Sequence, residues 1–189
     1  MSPHSIIPYR PVVAVALGCC LLCGCVTDVT TSDGRPLPPE PVAPPQQPEG
    51  LVPSELVLRL GAKPSDSDGN GYPDLIAVEA YLFAPPFPSP IFAEGSFTFD
   101  AYADGHSASG DMAPMASWNF SKEEVATSGT ASPFGHAYAF LLSLRETCGD
   151  NFPVMNINIR VRFESVEGTV IEPMSVGSVT IGRSIGVGR

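Results

Sequence analysis

The sequence predicts an all-β domain, an antiparallel β-sandwich of about seven strands, and three observations point that way. Short apolar runs with period two recur along residues 51–189, the signature of strands with one buried face. The chain carries 21 prolines and 18 glycines, too many for a helical bundle and spread as turn punctuation between those runs. A hydrophobic share of 43% in 189 residues is enough for one real core but not for two comfortable domains.

The strands follow in order. Leu56, Leu58 and Leu60 alternate with Glu55 and Arg59. Residues 76–83 are apolar on both faces apart from Glu79, which suits a central strand. Phe97 and Phe99 alternate with Thr98 and Asp100, and Tyr138, Phe140, Leu142 and Leu144 with Ser143 and Arg145. The clearest run is Met155, Ile157, Ile159, Val161 and Phe163 against Asn156, Asn158, Arg160, Arg162 and Glu164. A further strand is expected over 176–181, after the turn at Glu167 and Gly168. One short helix is expected over 122–126, because Ser121 and Glu124 have the spacing of a capping box. Residues 103–116 lack periodicity and read as a long loop. Half-wet antiparallel strands bury their apolar faces against one another, and a sandwich is the ordinary solution.

The first fifty residues have a different composition. Residues 1–24 read as a signal peptide: Arg10 supplies positive charge, and residues 12–22 form an unbroken apolar run without an acid. A bilayer span needs roughly 20 apolar residues, whereas a signal core needs about 7 to 15. The run ends Leu22, Cys23, Gly24, Cys25, which resembles the lipobox of bacterial lipoproteins. That resemblance implies cleavage before Cys25, a diacylglycerol on its sulfur and a further acyl chain on its amine, enough for stable anchoring. Cys23 departs from the commonest pattern, and Gly18–Cys19 is a poorer second site. Val26 stands where an Asp would favour inner-membrane retention, so the resemblance implies the outer membrane in a diderm organism. Residues 25–50 then read as the lipidated cysteine and a proline-rich spacer, at about 3.1 Å per residue a reach of up to roughly 75 Å. The domain, residues 51–189, is expected to be displayed from the membrane.

The net charge of -10 disfavours nucleic acid and anionic lipid surfaces as partners. Four of five cysteines lie in residues 19–25, which leaves Cys148 alone in the domain, read as half-buried beside a turn. The one constellation with metal chemistry is Asp66, Asp68, Asn70, Tyr72 and Asp74, since calcium takes six to eight hard oxygens and glycine permits the sharp turn between them. The run resembles the first nine positions of an EF-hand-type loop, as in dockerins and thrombospondin type 3 repeats. By that resemblance Asp66, Asp68 and Asn70 would ligate through side chains, Tyr72 through its carbonyl, and Asp74 directly or through water. The acid expected eleven residues after Asp66 is Ala77, with Glu79 the nearest substitute. The same residue types are those that a polar turn demands, so turn and Ca2+ site both stand at this point.

Catalytic readings are sparse. HExxH, P-loop and CxxC arrangements are absent from the mature part. His106, Ser107 and Asp111 share one Gly/Ser-rich loop, whereas triad members usually come from separate elements. His136 reads as a strand-start residue and Trp118 as packing. The expected function is a non-enzymatic envelope lipoprotein displaying a binding or structural module to a protein or glycan. One alternative is a carbohydrate-binding module, which needs Trp118, Tyr72 and Tyr102 on one face or loop cluster. The other is a periplasmic hydrolase, which needs His106 or His136 facing an acid.

Overall fold

A computed structural model of the chain describes residues 45–104, 112–132 and 134–183. The described elements are β1 (Glu55–Leu60), β2 (Leu75–Phe83), β3 (Gly95–Ala103), β4 (Ala116–Phe120), α1 (Lys122–Ser128), β5 (Gly129–Ser132), β6 (Gly135–Ser143), α2 (Leu144–Thr147), β7 (Met155–Ser165), β8 (Val170–Ile171) and β9 (Gly177–Ile181). They form two antiparallel sheets packed as a sandwich. One is four-stranded, ordered β1-β2-β6-β5; the other is five-stranded, ordered β4-β3-β7-β8, with β9 also on β7. β8 pairs with β7 at Phe163 and Glu164, and β9 pairs with it over Met155–Ile159, so both share the edge that β3 leaves open.

Alternation places the core. Leu56 of β1, Ile76, Val78, Ala80 and Leu82 of β2, and Tyr138, Phe140 and Leu142 of β6 point inward from the first sheet. Phe97, Phe99 and Ala101 of β3 and Ile157, Ile159, Val161 and Phe163 of β7 meet them from the second. Their rings form a contiguous cluster: Phe97 stands 5.1 Å from Tyr138, 5.4 Å from Phe140 and 4.9 Å from Phe163, centroid to centroid. Each such side chain, fully buried, contributes roughly 1.5–3 kcal/mol. Gly95 opens β3 where there is no room for a side chain; a Cβ there would strike the Glu164 carbonyl and the Phe163 ring.

The strand count is nine among the described residues, two more than expected. β4 (ASWNF) continues directly from the loop read over 103–116, β5 (GTAS) has no large apolar residue, and β8 is two residues long. The helix at 122–128 carries the expected box: Ser121 Oγ accepts from the Glu124 amide, and the Glu124 carboxylate accepts from the Ser121 amide. β6 stops one residue earlier than its alternation suggested. Ser143 accepts from the Glu146 amide and turns the chain into α2, while Leu144 stays buried.

Between β2 and β3 the chain crosses from one sheet to the other over residues 84–94. Tyr138 holds this crossover. Its hydroxyl donates to the Ala93 carbonyl and accepts from the Ala93 amide, each at 2.7 Å, while its ring is fully buried. Gln47 clamps the next peptide group in the same manner, donating to the Phe92 carbonyl at 2.8 Å and accepting from its amide at 2.7 Å. Packed chain therefore begins upstream of Leu51, where the spacer was expected to end.

Burial, countered by the Ala93 backbone bond, pushes the Tyr138 hydroxyl up to about 12. The folded state thus keeps the proton that an unfolded tyrosine loses near pH 10. This contribution to stability is intact below pH 10 and is lost as pH rises toward about 12. Tyr138→Phe should cost about 1–3 kcal/mol at neutral pH, because it strands the Ala93 amide and carbonyl. It should also flatten the alkaline loss; urea denaturation at pH 7 and across pH 9–12 checks both expectations.

Candidate functional site

The acidic loop joins β1 to β2 and is closed at its neck. Ser65 and Leu75 exchange backbone hydrogen bonds at 2.9 Å, and the Asp74 amide also donates to the Ser65 carbonyl. Within the loop the side chains fold back onto the main chain. Asp66 accepts from the amides of Gly69 at 2.8 Å and Gly71 at 2.6 Å, Asp68 from the amide of Asn70 at 3.2 Å, and Asn70 from the amide of Tyr72 at 2.7 Å. Gly69 and Gly71 both adopt positive φ, at 76° and 86°, which is what lets the chain curl around Asp66. The Gly71 amide, foremost, and the Gly69 amide hold the Asp66 carboxyl below the usual carboxylate range against a smaller opposing effect of burial.

Asp74 turns the other way. It is fully buried, and its two oxygens accept from the Ser67 amide at 2.7 Å and the Ser67 hydroxyl at 2.6 Å. Burial alone would raise its pKa, but the Ser67 hydroxyl and amide together with its own backbone amide outweigh that and hold it low. Its carbonyl also accepts from the Leu144 amide, which ties the loop to α2.

Two arginines flank the loop. Arg145 pairs with Asp68 at 3.2 Å, and Arg183 lies 5.7 Å over the Tyr72 ring. Asp150 joins from beyond α2, accepting from the Asn70 amide group at 2.8 Å. The structure therefore brings Asp66, Asp68, Asn70 and Tyr72 into one loop and commits Asp74 to Ser67. Ala77 faces outward with no carboxyl to offer, and Glu79 is engaged by Arg59 at 3.0 Å and by the Tyr81 hydroxyl at 2.7 Å. Among the described residues no group of three or more His, Cys, Asp or Glu is placed to hold a metal ion. The loop is closed by its own hydrogen bonds, which engage the Asp66, Asp68 and Asn70 side chains.

A second feature lies on the outer face of the four-stranded sheet. Solvent-facing strand positions are ordinarily polar, and the five-stranded sheet obeys: Thr98 bonds Asn119, Ser117 bonds Asp100, Arg160 pairs with Glu172 and Thr180 bonds Asn156. The four-stranded sheet instead presents Val57, Ala77, Ala139 and Leu141, with Val57 48% and Leu141 61% exposed. Beside them a groove of about 310 Å³ is lined by Val57, Tyr81, Phe83, Pro88, Pro90 and Phe134, with Arg59 its one charged group. Phe134 is 68% exposed. The signal for this face was present in the sequence. Residues 76–83 are apolar on both sides, which suited a strand covered on both faces; β2 is central in its sheet, and its outer face is covered only in part, with Tyr81 buried, Phe83 half-buried and Ala77 exposed.

The remaining candidates are dispersed. Trp118 sits at an inward-facing position of β4 and donates to the Ser143 carbonyl at 3.0 Å, whereas Tyr102 stands on the opposite face of the same sheet. Tyr72 lies in the acidic loop, so the three aromatic residues do not form one platform. His136 lines a shallow pocket with Gln46, Gln47, Ser89 and Ser132, and no carboxylate lines it. Cys148 is exposed rather than half-buried because it caps α2 at the surface; local desolvation still pushes its thiol up, away from the reactive thiolate. Cys25, His106, Ser107 and Asp111 lie outside the described residues. Among the described residues no helix is long and apolar enough to cross a membrane.

A loop held by its own hydrogen bonds should unfold at the same temperature in excess calcium and in chelator. Asp74→Ala should cost about 1–3 kcal/mol in both, since it removes the buried carboxylate that accepts from both the Ser67 amide and the Ser67 hydroxyl. The depressed Asp74 carboxyl adds stability that is present above the ordinary carboxylate pKa of about 3.9 and is lost as pH falls through the lower folded value. The variant should therefore show a shallower acid limb. A midpoint raised by calcium and lowered again by chelator would mean that the loop rearranges around an ion.

No family model matches the chain, and no curated protein matches it. Among solved structures it is similar to the crystal structure of MtrC from Shewanella baltica OS185, with 14% identity and a TM-score of 0.37 over 71% of this chain and 23% of that one. This chain spans less than a quarter of that protein's length, and a likeness at this level defines neither family nor function.

Proposed function

We propose that the chain is a lipid-anchored envelope protein that displays its β-sandwich as a non-catalytic binding module. One observation carries the binding part: the outer face of the four-stranded sheet exposes Val57, Ala77, Ala139 and Leu141 beside an apolar groove, whereas the outer face of the second sheet is polar apart from Tyr102 and the edge residue Val170. Exposed apolar surface rimmed by polar groups, here with the Arg59–Glu79 pair between Val57 and Leu141, is characteristic of interaction sites. The anchor rests on the lipobox resemblance at Cys25 and on the proline-rich composition that follows it. A protein partner accounts for the face better than a glycan does, because a sugar needs converging polar groups and the groove supplies only Arg59, already paired with Glu79.

The chain should fractionate with membranes, and its N-terminal peptide should begin at Cys25 with the added mass of diacylglycerol. Cys25→Ser should move it to the soluble fraction. A photo-crosslinking residue at Leu141 should give a discrete adduct in intact cells, while the same residue at Thr98 on the polar face should give none. Equal partitioning of wild type and variant would remove the anchor, and equal crosslinking from both faces would remove the binding face.

A further inference from the structure

We propose that the peptide joining Asn70 and Gly71 is a covalent modification site, at which the Gly71 amide nitrogen attacks the Asn70 side chain once Asp66 releases it. The sequence supplies the first requirement. Asn70 is the one asparagine of the chain followed by glycine; the other four precede Phe or Ile. Glycine has no Cβ to keep its amide nitrogen away from the preceding side chain.

The loop presents the reacting groups to solvent. Asn70 and Gly71 are exposed, and Asn70 Oδ1 accepts from the Tyr72 amide at 2.7 Å. Negative charge gathers on that oxygen during attack, so its donor is in place beforehand. Arg183 lies beside Gly71, with Nε 3.4 Å from where a Cβ would stand, and a cation there favours loss of the amide proton. Only the nucleophile is withheld. Asp66 accepts from the Gly71 amide at 2.6 Å, a short charge-assisted bond, and from the Gly69 amide at 2.8 Å. Local opening of the loop breaks both.

In the open loop the step balances without oxidant or reductant. A bond forms between Gly71 N and Asn70 Cγ, the bond from Cγ to Nδ2 breaks, and the proton lost by Gly71 departs with Nδ2 as ammonia. Water then opens the cyclic imide at either carbonyl and leaves aspartate or isoaspartate at position 70. Either product lacks the Nδ2 donor that Asp150 holds at 2.8 Å and Asp68 at 3.2 Å, and it sets a further carboxylate between those two. Like charges at that spacing repel, so the loop does not reclose as before. The site therefore registers opening of the loop irreversibly.

The test incubates the full chain in detergent micelles at mildly alkaline pH and follows deamidation and isoaspartate in the peptide carrying residue 70 by mass spectrometry. Folded wild type should react about tenfold or more slowly than the same chain unfolded in urea. Asp66→Ala should react about tenfold faster than folded wild type, whereas Asp68→Ala, which leaves the Gly71 amide with Asp66, should stay within about threefold of it. Asn70→Gln should give no product at this position. Circular dichroism checks that each variant is folded; where Asp66→Ala is not, Asp66→Asn, which keeps one acceptor oxygen, is read in its place and should fall between wild type and the unfolded chain. Folded wild type reacting as fast as the unfolded chain, or a folded Asp66 variant reacting as slowly as wild type, overturns the proposal. Equal acceleration by the Asp66 and Asp68 variants overturns it too, because the protection would then belong to the loop as a whole.

Discussion

The structure depends on how one side chain, Tyr138, joins the two sheets and the chain that crosses between them. Its ring enters the core beside Phe97 and Phe92, and its hydroxyl satisfies both backbone groups of Ala93. The half-buried amide and carbonyl of Ala93 lie in a crossing segment outside the strands, and leaving them unpaired would cost free energy. The tyrosine supplies both at once, an apolar body for the core and a polar tip for the crossover. With Ala93 fixed, β3 is delivered with Phe97 and Phe99 facing Phe140, and the second sheet can assemble around β7.

The two sheets then diverge on their outer faces. On the second, almost every outward position is polar, and neighbouring strands are laced by hydrogen bonds and an ion pair. On the first, the outward positions of β2 and β6 are small or apolar, relieved mainly by the Arg59–Glu79–Tyr81 network. A sandwich needs only its inner faces apolar to fold. The outer face of the first sheet is therefore not explained by the core, and this asymmetry is what the binding reading rests on. At the loop end of the same sheet the acidic residues serve the backbone: Asp66 and Asn70 cap the curl of the loop, and Asp74 anchors it to Ser67.

Strands with a dry face and a wet face were legible from alternation alone, as β7 and β1 illustrate, and the capping box located α1 to within two residues. Elements defined mainly by pairing were not. β5 consists of Gly, Thr, Ala and Ser, and only its pairing with β6 makes it a strand. The acidic loop was legible as a loop joining two strands. The direction of Asp74 was not, because it is set by Ser67 and by the tie to Leu144, a contact 70 residues away in sequence. Residues 76–83 had the right composition for two covered faces, but whether the second face is covered depends on what packs there, and composition carries no record of that.

Most of the account turns on that uncovered face, and hydroxyl-radical footprinting of the protein in solution measures it side chain by side chain. Val57, Leu141 and Phe134 should label heavily, at rates comparable to the exposed Met112 and Val170 after correction for intrinsic reactivity, while Leu142, Phe140 and Tyr138 stay protected. Protection of Val57, Leu141 and Phe134 at the level of the core would mean that the face is covered within the protein itself, and the binding module proposed on it would fail.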